Sequence, residues 1–234
     1  MKEYFEKNAD VQLIHITISF DNIKSILTEG SFRLKYCKEE FCLRKRAISK
    51  RVHPMVCFTE QNIYQLQTKT ITYGKYGIAL SQKWILKNNI QPVMYIEQNS
   101  AVANSLANLL VYRRKLTKGH PLRLPIMTIA CFTKNTIGYN SYLDKEGFLF
   151  KDENEWRYVP TKKQIKNGYI SEDRSKFLNN QHEYNNRLLD YPLKFDIDTD
   201  IVCIYCADSN ECQNLSSEYP NLRERIKVAP WKIN

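Results

Sequence analysis

The stretch VQLIHITISFDNIKSILTEG, residues 11–30, constrains the fold more than any other part of the chain. VQLIHIT carries the apolar density of a buried strand. Asp21 can cap a helix after it, in which Phe20, Ile23, Ile26 and Leu27 recur at helical spacing. Gly30 stands where a helix ends in a left-handed turn. A strand, a short amphipathic helix and a stop are therefore fixed locally. Two polar residues interrupt the strand. His15 and Thr17 are two apart, so they share one face. Either this is a core histidine bonded to backbone, or the pair walls a ligand site.

Similar short units recur along the chain. MVCFTE (55–60) reads as a strand, and the segment before it (31–54) as irregular and basic. YGKYGIALS gives a strand, with Ser81 capping a helix at QKWILKNN, and PVMYIE a further strand. NSAVANSLANLLVYRRKL is the longest helix, its basic end at the C-terminus where the helix dipole favours cations. LPIMTIACFTK reads as a strand, FLFKDENEWRYVP as a strand broken by an acidic turn, and DIVCIYCAD as another strand. A final helix is expected over about 209–227. The polar stretch 161–192 is the least ordered candidate. The sum is an α+β fold in a single domain, 1–234, with a motif-bearing core over about 11–160 and a C-terminal α+β extension over about 161–234. Glycine is scarce, and no phosphate loop or dinucleotide fingerprint occurs.

Composition sets the outer limits. A 234-residue chain that is 43% hydrophobic can bury a real core. No run of about 18 apolar residues suggests a membrane span, and MKEYFEKNAD lacks a signal-peptide centre, so a cytoplasmic protein is expected. Seven cysteines, an odd number, suit reduced thiols. Cys203 and Cys206 lie three apart on a strand and point to opposite faces, so no metal is expected. The net charge of +10 permits contact with nucleic acid or an acidic partner. Arg44, Lys45 and Arg46, and Arg113 and Arg114, are the residues expected to form such a surface. His53, His120 and His182 read as loop or solvated residues, and Trp84 and Trp231 as packing anchors.

Polar groups on apolar strands mark the candidate site. Phe58 and Thr59 stand in CFTE, where a strand end can deliver a hydroxyl to a cleft or cap the next element. Tyr73 and Tyr76, in YGKYG, could stack on a planar ring, or their glycines could serve close packing alone. In ENEWRYVP, Glu155 and Arg157 share one face while Trp156 faces the core. The two charges form either a pair between neighbouring strands or part of a polar cleft.

In this order the motifs resemble the AbiGi-type abortive phage infection family: a His-x-Thr strand, an Ile-Leu-x-x-Gly helix, then Cys-Phe-Thr-Glu, Tyr-Gly-x-Tyr-Gly and Glu-Trp-Arg strands. The resemblance spans roughly residues 11–160. More distantly, the opening block resembles DarT-type ADP-ribosyltransferases, which implies a split mixed or antiparallel sheet core and NAD as cofactor. That resemblance implies that His15 and Thr17 grip NAD together with Phe58, Thr59 and Arg157. Tyr73 or Tyr76 would then stack on nicotinamide, and Glu155 would be the catalytic carboxylate. Breaking the nicotinamide–ribose bond builds positive charge, which a carboxylate stabilises most in the transition state. The first resemblance implies instead a non-catalytic antitoxin that binds a cognate toxin. A basic nucleic-acid-binding module is the third expectation. The NAD reading requires His15, Thr59, one of the two tyrosines and Glu155 to line one cleft of about 300–1,000 Å³.

Overall fold

A computed structural model describes residues 1–166 and 168–233. The protein is α+β, with mostly antiparallel strands. It forms two compact units that interleave along the chain: Met1–Arg33, Val56–Ile90 and Pro192–Asn234 make the first, Leu34–Met55 and Gln91–Tyr191 the second. Residue 160 lies within the second unit, and residues 192–234 belong to the same unit as the N-terminal strand and helix.

In the first unit, Val11–Thr17 is a central strand. It pairs antiparallel with Tyr76–Leu80, from Leu13↔Leu80 to Thr17↔Tyr76, and with the end of the Arg46–Asn62 strand, as in Ile14↔Thr59. Ile201–Cys206 extends the sheet beyond Tyr76–Leu80, and Ile226–Val228 joins it in parallel. Ile14, Ala79, Cys203, Tyr205 and Trp231 form one core cluster with Leu66 and Ile71. The helix after the first strand runs Phe20–Glu29, and Gly30 closes it in the left-handed region, as its sequence requires. Its cap is Ser19, whose hydroxyl accepts from the Asn22 amide, so Asp21 sits in the first turn instead. Ile23 and Leu27 are buried. Two glycines allow the tight packing. A Cβ at Gly77 would meet the Ile14 side chain at 2.7 Å, and one at Gly74, where φ is +133°, would meet the Thr17 carbonyl oxygen at 2.1 Å.

The expected helix over 209–227 is shorter. Ser209–Glu218 is helical, Pro220 begins a 3₁₀ segment to Arg225, and Ile226–Val228 is a strand. Proline cannot continue the hydrogen-bond ladder of the helix behind it.

The second unit corrects the expectation that 31–54 is irregular. Lys35–Leu43 and Arg46–Asn62 form a long antiparallel hairpin, paired from Lys35↔Met55 to Leu43↔Arg46. Its turn is Arg44–Lys45, both at positive φ, and the Gln98 backbone carbonyl and side-chain oxygen accept from their amides. Two-residue turns of this kind usually carry Asn-Gly, so Arg-Lys gave no turn signal. Opposite this hairpin lies the helix Ala101–Lys115, capped by Ser100. Its buried face, Ala103, Leu106, Ala107 and Leu110, packs with Phe41 and Ile126.

LPIMTIACFTK is not a strand. Arg123–Cys131 is a helix that buries Ile126, Met127 and Cys131, and only Thr133–Asn135 beyond it is extended. A short apolar run rich in β-branched residues does not separate the two states, and Pro125 fits the first helical turn. Glu155–Tyr158 is a strand, preceded by a 3₁₀ turn at Phe150–Glu153, and it pairs with Gln91–Pro92. Helices Arg174–Asn179 and Gln181–Asn186 occupy the stretch expected to be least ordered. No helix among the described residues is long and apolar enough to cross a membrane.

Candidate functional site

In the first unit His15 stands in an aromatic wall. Its ring centroid is 4.8 Å from that of Phe32 and 5.8 Å from that of Phe58, and both phenylalanines pack on Trp84. Its Nδ1 is 2.9 Å from the Cys57 carbonyl oxygen, the arrangement of a histidine bonded to backbone. Thr17, on the same face, accepts at 2.7 Å from the Asn22 side chain, one turn into the next helix. Thr59 accepts from Gln61 at 2.8 Å, Glu60 accepts from Tyr4 at 2.7 Å, and Phe58 is fully in the core. Tyr76, opposite Thr17 in register, donates to Glu211 at 2.8 Å. Burial and then that carboxylate raise its pKa to about 12. Tyr73 is half-buried just before Gly74.

The second unit holds a network of full charges. Arg157 is 0% exposed and Glu155 8%. The Arg157 guanidinium grips Glu155 with both arms of its fork, Nε to Oε1 at 2.7 Å and Nη2 to Oε2 at 2.9 Å. The same Nη2 donates to Glu39 at 2.7 Å, and Nη1 to the Cys131 carbonyl at 2.7 Å. Lys134 adds a second cation, 3.0 Å from Glu153 and 3.2 Å from Glu155, with its ammonium 4.3 Å from the Phe150 ring. Burial pulls the Lys134 pKa down, but Glu155, Glu39 and Glu153 hold it well above the ordinary lysine value. The Tyr95 hydroxyl accepts from the Glu155 amide at 2.8 Å. Every charge therefore meets an opposite charge or a dipole, as burial at this depth demands.

His53, expected in a loop, is a strand residue only 2% exposed. Its Nδ1 lies 3.1 Å from the Ile170 carbonyl oxygen and 3.1 Å from the Cys131 sulfur. Burial lowers its pKa to about 3 and lifts the Cys131 thiol to about 12. A neutral imidazole beside a protonated thiol is a packing arrangement, since nucleophilic cysteine needs the thiolate. A cavity of about 10 Å³ beside them is bounded by Glu39, Phe41, Ser49, His53, Leu106 and Leu110, among others. That is room for about one water molecule.

The predicted site residues thus fall into two groups. His15 and Phe58 touch, and Thr17 faces Tyr76 across a strand pair, all within the first unit. Glu155 and Arg157 are joined within the second. Glu39, Lys134, Glu153, Tyr95 and His53 escaped sequence reasoning. Only the alternation in KYCKEEFC hinted that Glu39 shares an inward face with Phe41. Of the residues expected on a basic surface, Arg44, Lys45, Arg46 and Arg114 are exposed. Arg113 is not: it is 8% exposed, because it continues the buried row of its helix after Leu106 and Leu110.

Among known proteins, a family model described as "Putative abortive phage resistance protein AbiGi, antitoxin" matches residues 30–207, well over half of the chain. A protein of Lactococcus lactis subsp. cremoris named "Abortive phage resistance protein AbiGi" is 33% identical over 146 residues, covering 54% of this chain and 57% of that protein. The chain thus spans little more than half the length of this curated relative. No solved structure matches the chain.

Proposed function

The chain belongs to the AbiGi family of abortive phage resistance proteins, and on that premise we propose that it is the antitoxin of a two-component defence pair. In this reading it restrains a toxin by binding it and transfers no group itself. The state of Glu155 carries this choice. A carboxylate that stabilises a cationic ribose must face the reacting atoms with its charge available. Glu155 instead spends both oxygens on Arg157 and one of them also on Lys134. Such a pair holds a strand end in place. The transferase reading, with its NAD cofactor and fold, rests on the sequence resemblance alone.

The test has two arms. Co-expression with the growth-arresting protein encoded beside this chain should restore growth, and the two should co-purify in fixed ratio. Incubation of the purified chain with NAD should release no nicotinamide. Release that the Glu155→Gln variant abolishes would overturn the antitoxin reading in favour of the transferase.

A further inference from the structure

Four arginines of the second unit, Arg51, Arg113, Arg114 and Arg123, lie close enough to act on one another's charge. Ser49, Arg51 and His53 alternate along one strand and so share a face, and Ser49 and His53 border the same cavity as Leu106 and Leu110 of the Ala101–Lys115 helix. Arg113 lies one turn beyond Leu110, on the buried row of that helix. Arg114 reaches the Ile48 carbonyl, and Arg123 donates to the carbonyls of Arg113 and Leu116 at 3.0 and 2.7 Å. These contacts gather four guanidinium groups about the end of one helix.

Arg113 is the anomaly among them. Its Nε is buried without a hydrogen-bond partner among the described residues. Burial, then Arg51, Arg123 and Arg114, lower its pKa to about 10; the carboxylates of Glu172 and Asp173 act on Arg51, not on Arg113. A buried cation among like charges is costly unless an anion completes the set. Beside it the helix exposes an apolar row. Val102 and Leu109, spaced seven apart with Leu109 four short of Arg113, are 60% and 43% exposed, and Tyr112 is 49% exposed.

We infer that this helix face, with Arg113 as its recessed anchor, docks an acidic partner protein: a carboxylate side chain seats on Arg113, and apolar neighbours cover Leu109 and Tyr112. The guanidinium fork matches a carboxylate in two-point geometry. A nucleic acid would place its phosphates on exposed cations and leave the apolar row bare, so the mixed character of this face favours protein. The inference rests on the antitoxin reading and names the chemistry of its partner surface.

The probe is a fluorescent helical peptide with Leu and Glu at alternating helical turns, titrated against the full chain beside an oligothymidylate of equal charge. Saturable peptide binding is expected. Leu109→Asp and Tyr112→Asp should each weaken it by about tenfold or more, as truncating an interface anchor does. Arg113→Lys should weaken it by a similar factor, about tenfold, because the charge remains while the fork is lost. The two exposed positions keep the test decisive if the Arg113 variant misfolds. Absence of saturable peptide binding, unchanged binding in the Leu109 and Tyr112 variants, or tighter Arg113-dependent binding of the oligonucleotide would overturn the inference. Failure of the antitoxin reading shows separately, as wild-type chain that does not restore growth in the co-expression assay.

Discussion

His15 and Arg157 both interrupt apolar strands, one in each unit, and their surroundings treat them differently. The imidazole of His15 lies among Phe32 and Phe58 with the Cys57 carbonyl at hydrogen-bond distance. Arg157 carries a full charge at 0% exposure and takes two carboxylates and a carbonyl to hold it. A ring held by aromatic packing and a backbone carbonyl can be exchanged almost alone. A buried ion is the property of a set, and the set fails together.

The sharpest way to break this contrast is Arg157→Met. It leaves half-buried Glu39 without the guanidinium and buried Glu155 with Lys134 alone, and should cost about 3–5 kcal/mol in urea unfolding. Adding Glu155→Leu should return part of that loss, since the orphaned charge is removed with its partner. A double variant as unstable as the single one would show that the two residues do not act as a set.

Backbone closeness supplies the next effect, in the first unit. Gly74→Ala places a Cβ against the Thr17 carbonyl at a φ that disfavours side chains, and should cost about 3 kcal/mol, near the top of the common range. Thermal unfolding within about 1 kcal/mol of wild type would show that the turn relaxes.

Acid titration then probes the buried imidazole of His53. His53 has a folded pKa of about 3, against an ordinary 6.5. Below pH 6.5 the unfolded chain takes up a proton that the folded chain refuses. Its contribution is therefore complete above pH 6.5 and is lost as pH falls toward 3, about 2 kcal/mol of it by pH 5. His53→Gln should flatten that part of the pH–stability curve, and an unchanged slope would assign it to other groups. The smallest effect is expected at His15→Leu: loss of one bond to a carbonyl that stays in its strand, about 1 kcal/mol. A loss as large as that of Arg157→Met would erase the contrast.

Local pattern carried much of this. The strand, helix and left-handed Gly30 at 11–30, the Ser81 and Ser100 caps and the inward Trp156 come from periodicity and chain chemistry. The Arg44–Lys45 turn was illegible because positive φ falls there on residues that do not advertise it. Residues 123–131 were illegible because an apolar run of that length fits either state until its neighbours choose which side is buried.

The sequence by itself determined that Glu155 and Arg157 share a face, since a strand alternates whatever surrounds it. Only the tertiary structure decided what that face means. Glu39 and Lys134 come from remote segments to close the charge network, whereas Arg113 receives no such counter-charge among the described residues. Alternation is a property of the backbone, but the balance of buried charge depends on which distant side chains arrive together, and no local pattern encodes that.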